Sequence, residues 1–386
     1  MTGFPWNFVG ASQYRWLPLI QVASVTGIYG VTFLVVWCSV SLWVAGVSLT
    51  GPGGRTALWL TAGLPLVVVA VVAGVGFSRL TTPPPATREL TVAMVQPSIP
   101  QTLIWDSDAD VSRFKKVLDL STQAMASGPR LMLWPESAVP DLTAETQQAI
   151  SRFVEKNKLW LVFCSGTADS ANQVYNSALL CNPEGGLESI YHKRRLVIFG
   201  EYIPLVHVFP FLKWLTSVDV EQSPGLRTVD FDMRNPKVKL STLICFEDVF
   251  AEEAREHVGP ETDFLVNLSN DGWFGHGPEQ WQQAASGVFR AVENGVPLLR
   301  CTNDGLTCWI DAQGRMRKIF GAPRDVYAAG VMSAQIPLRP LADNSRTVYN
   351  RIGDWFPFCC SIIAIGAVAI SFWTRRQKEH SLPGPA

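Results

Sequence analysis

Long apolar runs without a charged residue lie near both ends of the chain. They cover residues 27 to 49, 56 to 77 and 355 to 373, and the first of them reads GIYGVTFLVVWCSVSLWVAGVSL. A helix of about 20 apolar residues crosses the hydrocarbon core of a membrane, which is about 30 Å thick. Buried core helices are the alternative, but uncharged runs of this length are rare in soluble domains. The pattern therefore predicts three membrane-spanning helices.

The middle of the chain follows a different pattern, in which short β-rich runs alternate with helix-like stretches. The predicted strands are residues 90–96, 130–136, 159–166, 174–182, 238–245, 262–270 and 296–303. The predicted helices are residues 107–126, 142–157, 249–258 and 279–293. Such alternation favours an α/β or α+β layered fold. The proline-rich segment TTPPPATRE, residues 81 to 89, is typical of an extended linker before this domain.

These patterns divide the chain into three parts. We predict a membrane region with two spanning helices at residues 1–80, a domain outside the membrane at residues 81–352, and a third spanning helix with a polar tail at residues 353–386. The N-terminus lacks the basic region, short apolar core and small-residue cleavage site of a signal peptide. The chain is therefore expected to be a multi-pass membrane protein.

Basic residues indicate how the spans are oriented. Arg55 lies between the first two spans, and Arg375, Arg376 and Lys378 follow the third. Short basic connections favour the cytoplasmic side of a membrane. The middle domain is therefore expected on the opposite side, which in a bacterial inner membrane is the periplasm, and the polar tail in the cytoplasm.

Composition narrows the classes of function. The 386 residues are 47% hydrophobic and 17% charged, and the formal net charge of −1 gives no basic surface for nucleic acid. Eight scattered cysteines do not indicate a disulfide framework. For Cys301 and Cys308 two alternatives remain, a disulfide between them or two free thiols in the core. With no CxxC pair and five histidines, we expect no metal site.

Polar residues follow three of the predicted strands. Glu136 ends RLMLWPE, Cys245 ends VKLSTLIC, and Asn270 ends TDFLVNLSN. Lys193 and Glu201 lie in a fourth segment, HKRRLVIFGEYIP, in which Gly200 and Pro204 favour a loop. Because side chains at strand ends converge in layered α/β folds, we expect one shared cleft.

A carboxylate, an ammonium and a thiol are sufficient for acyl transfer without a cofactor. A nearby ammonium such as that of Lys193 is expected to lower the pKa of the Cys245 thiol and to stabilise the oxyanion of a tetrahedral intermediate. Glu136 is expected to accept the thiol proton. The competing arrangement pairs the cysteine with a histidine, for which His192, His207, His257 and His276 are available.

The motifs around these residues resemble those of the nitrilase superfamily of carbon-nitrogen hydrolases. They are LWPES with Glu136, HKRRLVIFGEYIP with Lys193 and LICFEDVF with Cys245. The segments MVQPSIPQTLIWD, NLSNDGWFG and an amino-terminal GFPWNFVGASQ, together with the flanking spans, narrow the resemblance to the bacterial apolipoprotein N-acyltransferase family. The resemblance covers nearly the whole chain.

This resemblance implies a nitrilase-type αββα sandwich, mounted on transmembrane helices, for the domain at residues 81–352. It implies transfer of an acyl chain from a phospholipid, through a cysteine thioester, to the amino-terminal amine of a diacylglyceryl-modified apolipoprotein. Cys245 is the implied nucleophile, Glu136 the general base and Lys193 the oxyanion stabiliser. The residues expected to bind substrate are Trp105, Glu201, Phe246, Glu247, Asn270 and Trp273.

Three features depart from the family pattern. Family members usually carry further membrane helices before the GFPW segment, which here begins at Gly3. Phe246 stands where the family often has tyrosine, and Ile198 stands where it usually has proline. Two alternative functions therefore remain. One is a membrane-tethered amidase or nitrilase that acts on a small substrate, and the other is an inactive subunit that binds lipoproteins.

Overall fold

The computed structural model describes residues 5–49, 59–82, 87–139, 141–206, 208–215, 221–341 and 345–380. Within these ranges, the middle of the chain forms two six-stranded β-sheets. The strands are β1 (Arg88–Gln96), β2 (Leu131–Leu133), β3 (Trp160–Ala168), β4 (Val174–Cys181), β5 (Leu187–His192), β6 (Asp230–Met233), β7 (Val238–Ile244), β8 (Phe264–Ser269), β9 (Leu298–Thr302), β10 (Cys308–Ile310), β11 (Met316–Ile319) and β12 (Gly330–Leu338).

The two sheets have similar topologies. The first sheet has the strand order β12-β1-β2-β3-β4-β5, and the second has the order β11-β10-β9-β8-β7-β6. Strands β1 to β3 are parallel, as are β7 to β9, whereas the outer pairs are antiparallel. The carboxyl ends of parallel neighbours lie at the same edge of a sheet, so residues that follow β7 and β8 lie close together.

Helices flank both sheets and continue into the apolar ends of the chain. They are α1 (Leu17–Ile20), α2 (Ala23–Thr26), α3 (Ile28–Leu49), α4 (Leu64–Thr81), α5 (Gln101–Ile104), α6 (Asp110–Ala124), α7 (Ala144–Asn157), α8 (Ala251–Glu256), α9 (Glu279–Asn294), α10 (Val348–Ile352) and α11 (Trp355–His380). A single π-helical turn, Trp59–Gly63, leads into α4.

Side-chain alternation along the strands builds four layers. In β8, Phe264 and Val266 belong to the core between the sheets, whereas Leu265 packs on the opposite side with α9. A separate core joins the first sheet to α6 and α7. The order of layers is therefore helices, first sheet, second sheet, helix α9, which confirms the expected αββα sandwich.

Three described helices are long and apolar enough to cross a membrane. They cover Ile28–Ser48, Thr61–Thr81 and Trp355–Gln377. Their outer faces expose large apolar side chains, for example Trp43 and Ile363. The second helix extends beyond the predicted end at residue 77, because Ser78–Thr81 form its last, more polar turn.

The amino-terminal apolar helices pack directly on the outer helix of the sandwich. Leu19, Ile20 and Ile28 share one buried cluster with Val288 and Val292 of α9. The domain and at least the first apolar helices therefore have a common core.

Each predicted strand and helix of the middle segment overlaps an observed one. Strands β5, β6, β10, β11 and β12 were not predicted. Arg55, His207 and the centre of the predicted linker lie outside the described residues, and the division of the chain at residues 80 and 352 stays a prediction.

Cys301 and Cys308 do not form the disulfide that was left open above. Cys301 contributes to the core between the sheets, whereas Cys308 contributes to the core on the α9 side. Both are free thiols. The second sheet lies between the two side chains. The alternative prediction, that both cysteines are core thiols, is therefore correct.

Candidate active site

Glu136 is the point at which several elements of the sandwich meet. It follows β2 and is almost entirely buried. Its Oε1 accepts hydrogen bonds from Asn176 Nδ2 at 2.8 Å and from Lys193 Nζ at 3.3 Å. Its Oε2 accepts a hydrogen bond from the main-chain N–H of Asn270 at 3.1 Å. This carboxylate therefore joins residues from both sheets.

Lys193 follows β5 and is held between two carboxylates. Its Nζ donates to Glu201 Oε1 at 2.7 Å as well as to Glu136. The other oxygen of Glu201 accepts from the main-chain N–H of Val197 at 2.8 Å. Burial alone would lower the pKa of Lys193, but the Glu136 and Glu201 carboxylates outweigh it and hold this pKa well above its usual value. The two carboxylates therefore favour the charged ammonium form of Lys193.

Cys245 is the first residue of a 3-10 turn, Cys245–Val249, that follows β7. Its φ angle of 53° lies in the left-handed region, which side chains with a Cβ rarely adopt. The residue is only 8% exposed. The ring of the next residue, Phe246, lies under the Lys193 ammonium, with its centre 5.5 Å from Nζ. The Glu136 and Lys193 charges both affect the pKa of the Cys245 thiol, so the thiol lies in the same buried region as these two residues.

The Lys193 ammonium lowers the pKa of the Cys245 thiol, as expected, but the net shift is upward, so the expectation of an overall low thiol pKa is wrong. Burial raises the pKa of Cys245, and the Glu136 carboxylate raises it further, while Lys193 lowers it by less. Burial and the Glu136 charge therefore favour the neutral thiol over the thiolate. Burial also raises the pKa of Cys164, and that of Cys181 to about 12, so a low pKa does not distinguish Cys245 from these core thiols.

Glu247 lies between the segment that follows Lys193 and the end of β7 before Cys245. Its carboxylate is fully buried and accepts from the main-chain N–H groups of Ile244, Arg194 and Arg195, at 2.8, 2.7 and 3.0 Å. The Tyr191 hydroxyl donates to it as well. Glu247 therefore ties the segment after Lys193 to the strand end before Cys245, and its oxygens are engaged by the protein.

Asn270 and the two tryptophans form one side of the site. Asn270 Nδ2 donates to Gln101 Oε1 at 2.8 Å, which connects the loop after β8 to helix α5. Trp105 follows α5 and is 71% exposed, and Trp273 is 54% exposed. Their ring centres are 6.2 Å apart. This pair offers an exposed aromatic surface next to the loop that contacts Glu136.

Asn176 is a site residue that the sequence analysis missed. It lies within β4, and its Nδ2 donates to Glu136 at 2.8 Å and to Glu201 at 3.2 Å. It therefore sets the spacing of the two carboxylates around Lys193. The available signal was a polar residue inside a predicted strand. This signal does not identify a site residue, because a strand with one face exposed to solvent also contains polar residues.

Three of the candidate histidines, His192, His257 and His276, contact groups other than the thiol. His192 Nδ1 lies 2.7 Å from Ser177 Oγ. His257 Nε2 lies 3.5 Å from a carboxylate oxygen of Glu253, and the His276 ring stacks on Tyr327. Among the described residues, no group of three or more potential metal ligands forms a cluster. The arrangement thus favours glutamate, lysine and cysteine over a cysteine-histidine pair.

Two family models match the chain. The carbon-nitrogen hydrolase model matches residues 91–341, which includes every residue of the site described above. The model of the apolipoprotein N-acyltransferase N-terminal domain matches residues 1–41. Among solved structures, a variant of an amidase from Nesterenkonia sp. AN1 aligns with a TM-score of 0.49 and 17% identity, over 64% of this chain and 90% of its own.

Two relatives match along almost the entire chain. The apolipoprotein N-acyltransferase of Geobacter metallireducens is 34% identical, and the match covers 98% of this chain and 72% of the relative. The apolipoprotein N-acyltransferase of Rickettsia prowazekii is 28% identical, over 95% of this chain and 71% of the relative. Together with the family models and the αββα sandwich, these matches show that the chain belongs to the apolipoprotein N-acyltransferase family of carbon-nitrogen hydrolases.

Proposed function

We propose that this protein transfers a fatty acyl chain from a membrane phospholipid to the amino-terminal amine of a diacylglyceryl-modified apolipoprotein, with Glu136, Lys193 and Cys245 as the catalytic groups. The observation that carries the proposal is the buried cluster of these three residues in a chain of the acyltransferase family. A base, a fixed cation and a nucleophile are the groups that acyl transfer requires.

In the first half-reaction, Sγ of Cys245 attacks the carbonyl carbon of the phospholipid ester. Glu136 takes the thiol proton as the carbon-sulfur bond forms, because the resting thiol is protonated. The Lys193 ammonium stabilises the negative charge that develops on the carbonyl oxygen of the ester. The carbon-oxygen bond then breaks, the proton passes from Glu136 to the leaving alcohol, and a lysophospholipid departs from the thioester.

In the second half-reaction, the amine of the apolipoprotein attacks the thioester carbon. Glu136, again a carboxylate, accepts a proton from the amine nitrogen as the new carbon-nitrogen bond forms. Cleavage of the carbon-sulfur bond restores the thiol, which receives that proton. The products are an amide and the free enzyme, so no cofactor is consumed.

Exposed apolar side chains support lipids as the substrates. They follow Lys193 in the segment before residue 216 and are Ile198, Phe199, Leu205, Val208, Phe209, Phe211 and Trp214. Together with the exposed Trp105 and Trp273, they offer acyl chains an apolar environment. The apolar helices would place this surface beside a bacterial inner membrane, with the domain on the periplasmic side.

The test is a transfer assay with purified protein in detergent. Phospholipid and a synthetic peptide that begins with S-diacylglyceryl cysteine are supplied, and the acylated peptide is measured by mass spectrometry. We expect amide formation that Cys245→Ala abolishes and that Cys181→Ala, a change at a buried core thiol, leaves intact. Release of free fatty acid without amide would instead assign a hydrolase, and the absence of both products in folded protein would assign a binding subunit.

A further inference from the structure

Two buried side-chain amides donate to the main-chain carbonyl of the nucleophile. Asn267 Nδ2 lies 2.7 Å from the Cys245 carbonyl oxygen, and Gln283 Nε2 lies 3.0 Å from it. We propose that Asn267 and Gln283 are positioning residues, which hold Cys245 in the backbone conformation that presents its thiol to Glu136 and Lys193. This inference rests on the proposed function, since it concerns the same nucleophile.

The conformation of Cys245 explains why such support is needed. With φ at 53°, the residue adopts a left-handed conformation that is unfavourable for a side chain with a Cβ. Such a conformation persists only when surrounding contacts hold it. A carbonyl oxygen accepts two hydrogen bonds, and the two amides supply both. They therefore fix the plane of the peptide that joins Cys245 to Phe246.

The amides are themselves held in place by a buried ionic network. Gln283 Nε2 also donates to Asp248 Oδ1 at 3.0 Å, and Asn267 Oδ1 accepts from Arg300 Nη1 at 3.2 Å. Arg300 in turn pairs with Asp248 and Asp271. Asn267, Gln283 and Arg300 are fully buried. Both amides therefore have a fixed orientation before any substrate binds.

The support comes from two different elements. Asn267 lies in β8, next to the nucleophile strand, and Gln283 lies in α9 on the outer side of the second sheet. Arg290, further along α9, donates to the Val249 carbonyl at 3.0 Å. Helix α9 therefore holds the carbonyls at both ends of the Cys245–Val249 turn.

Near-isosteric variants remove the donors while they keep the volume. Asn267→Leu and Gln283→Met each remove one donor to Cys245. The control is Asn294→Leu at the far end of α9, where a buried amide donates to the Arg290 carbonyl at 2.9 Å and accepts from Asn350 at 2.8 Å. All three variants lose a buried amide, but only the first two lose a contact with the nucleophile.

For the two amide variants we expect kcat of acyl transfer to fall about tenfold each, the effect of one lost hydrogen bond, with the phospholipid KM unchanged. The double variant is expected to lose about 100-fold or more, because the carbonyl is then buried without a donor. Rates are normalised to folded protein. If both single variants keep the kcat of the Asn294→Leu control, the inference is wrong.

A second readout does not depend on acyl transfer. Glu136→Gln is introduced into the wild-type and Asn267→Leu proteins, and the pH dependence of Cys245 alkylation by iodoacetamide is measured. A thiol displaced from Glu136 responds less to that carboxylate, so we expect a smaller shift in the Asn267→Leu background. An equal shift in both backgrounds would overturn the inference, even if no transfer activity is found.

Discussion

At Cys245, burial and the Glu136 carboxylate both favour the neutral thiol, and the Lys193 ammonium opposes them by less. Burial of the thiol has no local signal in the sequence, so the Lys193 ammonium was the one influence on its pKa that could be predicted. The ends of the predicted strands led to the prediction of one cleft for Glu136, Lys193 and Cys245. Hydrogen bonds join Glu136 and Lys193 to Asn176 and Glu201, whereas Cys245 makes none of these contacts. Asn176 was missed because its role depends on the strand face on which it lies.

The pH dependence of Cys245 alkylation tests this electrostatic account. Glu136→Gln removes a charge that raises the thiol pKa, so the apparent pKa should fall. Lys193→Met removes a charge that lowers it, so the apparent pKa should rise. The rate of alkylation by iodoacetamide is measured from pH 6 to 11 in folded protein. Shifts of the same sign in both variants would contradict the assigned environment.

Among the elements, the sequence predicted the central strands better than the outer ones. Central strands such as β7 and β8 are buried on both faces and read as apolar runs. The missed β5, β6, β11 and β12 are the edge strands of the two sheets. Edge strands are partly solvated and contain fewer consecutive apolar residues, as LESIYH of β5 illustrates. Hydrophobic periodicity alone therefore does not reveal them.

Glu247 joins two of these elements, and its removal should affect stability as well as activity. Glu247→Ala leaves four donors without their acceptor: three main-chain N–H groups and the Tyr191 hydroxyl. We expect the free energy of unfolding to fall by about 3 kcal/mol or more, since each buried unsatisfied donor costs about 1–3 kcal/mol.

Tyr191→Phe is the matched control for Glu247, because it removes one of the four donors and leaves the main-chain contacts. Its expected cost is about 1 kcal/mol, with little change in activity. Both variants are compared by thermal unfolding in detergent and by acyl transfer. If Glu247→Ala unfolds at the same temperature as Tyr191→Phe, the carboxylate does not join the two segments as described.

For the whole molecule, the close contact between the apolar helices and the sandwich is the central feature. The main-chain N–H of Ile28, at the start of α3, donates to Glu293 of α9 at 2.8 Å. Arg315 donates to the Leu80 carbonyl at the end of α4 at 2.8 Å. The sequence predicted the helices themselves from their length, but these contacts join distant parts of the chain and have no local signal.

Close packing of α4 on the start of the chain gives a prediction with an internal control. A Cβ added at Gly76 would lie 1.8 Å from the Pro18 carbonyl oxygen, whereas one added at Gly74 meets nothing within 4 Å. Gly76→Ala should therefore destabilise the protein by about 1–3 kcal/mol, and Gly74→Ala should not. Thermal unfolding in detergent compares them, and equal midpoints would contradict the described packing.

The central claim is that Cys245 carries the acyl group, and mass spectrometry of the intact protein and its peptides tests it most directly. Purified protein is incubated with phospholipid in the absence of an acceptor. We predict a fatty-acyl adduct on the Cys245 peptide that neutral hydroxylamine removes, as expected of a thioester, and that does not form in Glu136→Gln. An adduct on another residue, or full transfer activity in Cys245→Ala, would contradict the account.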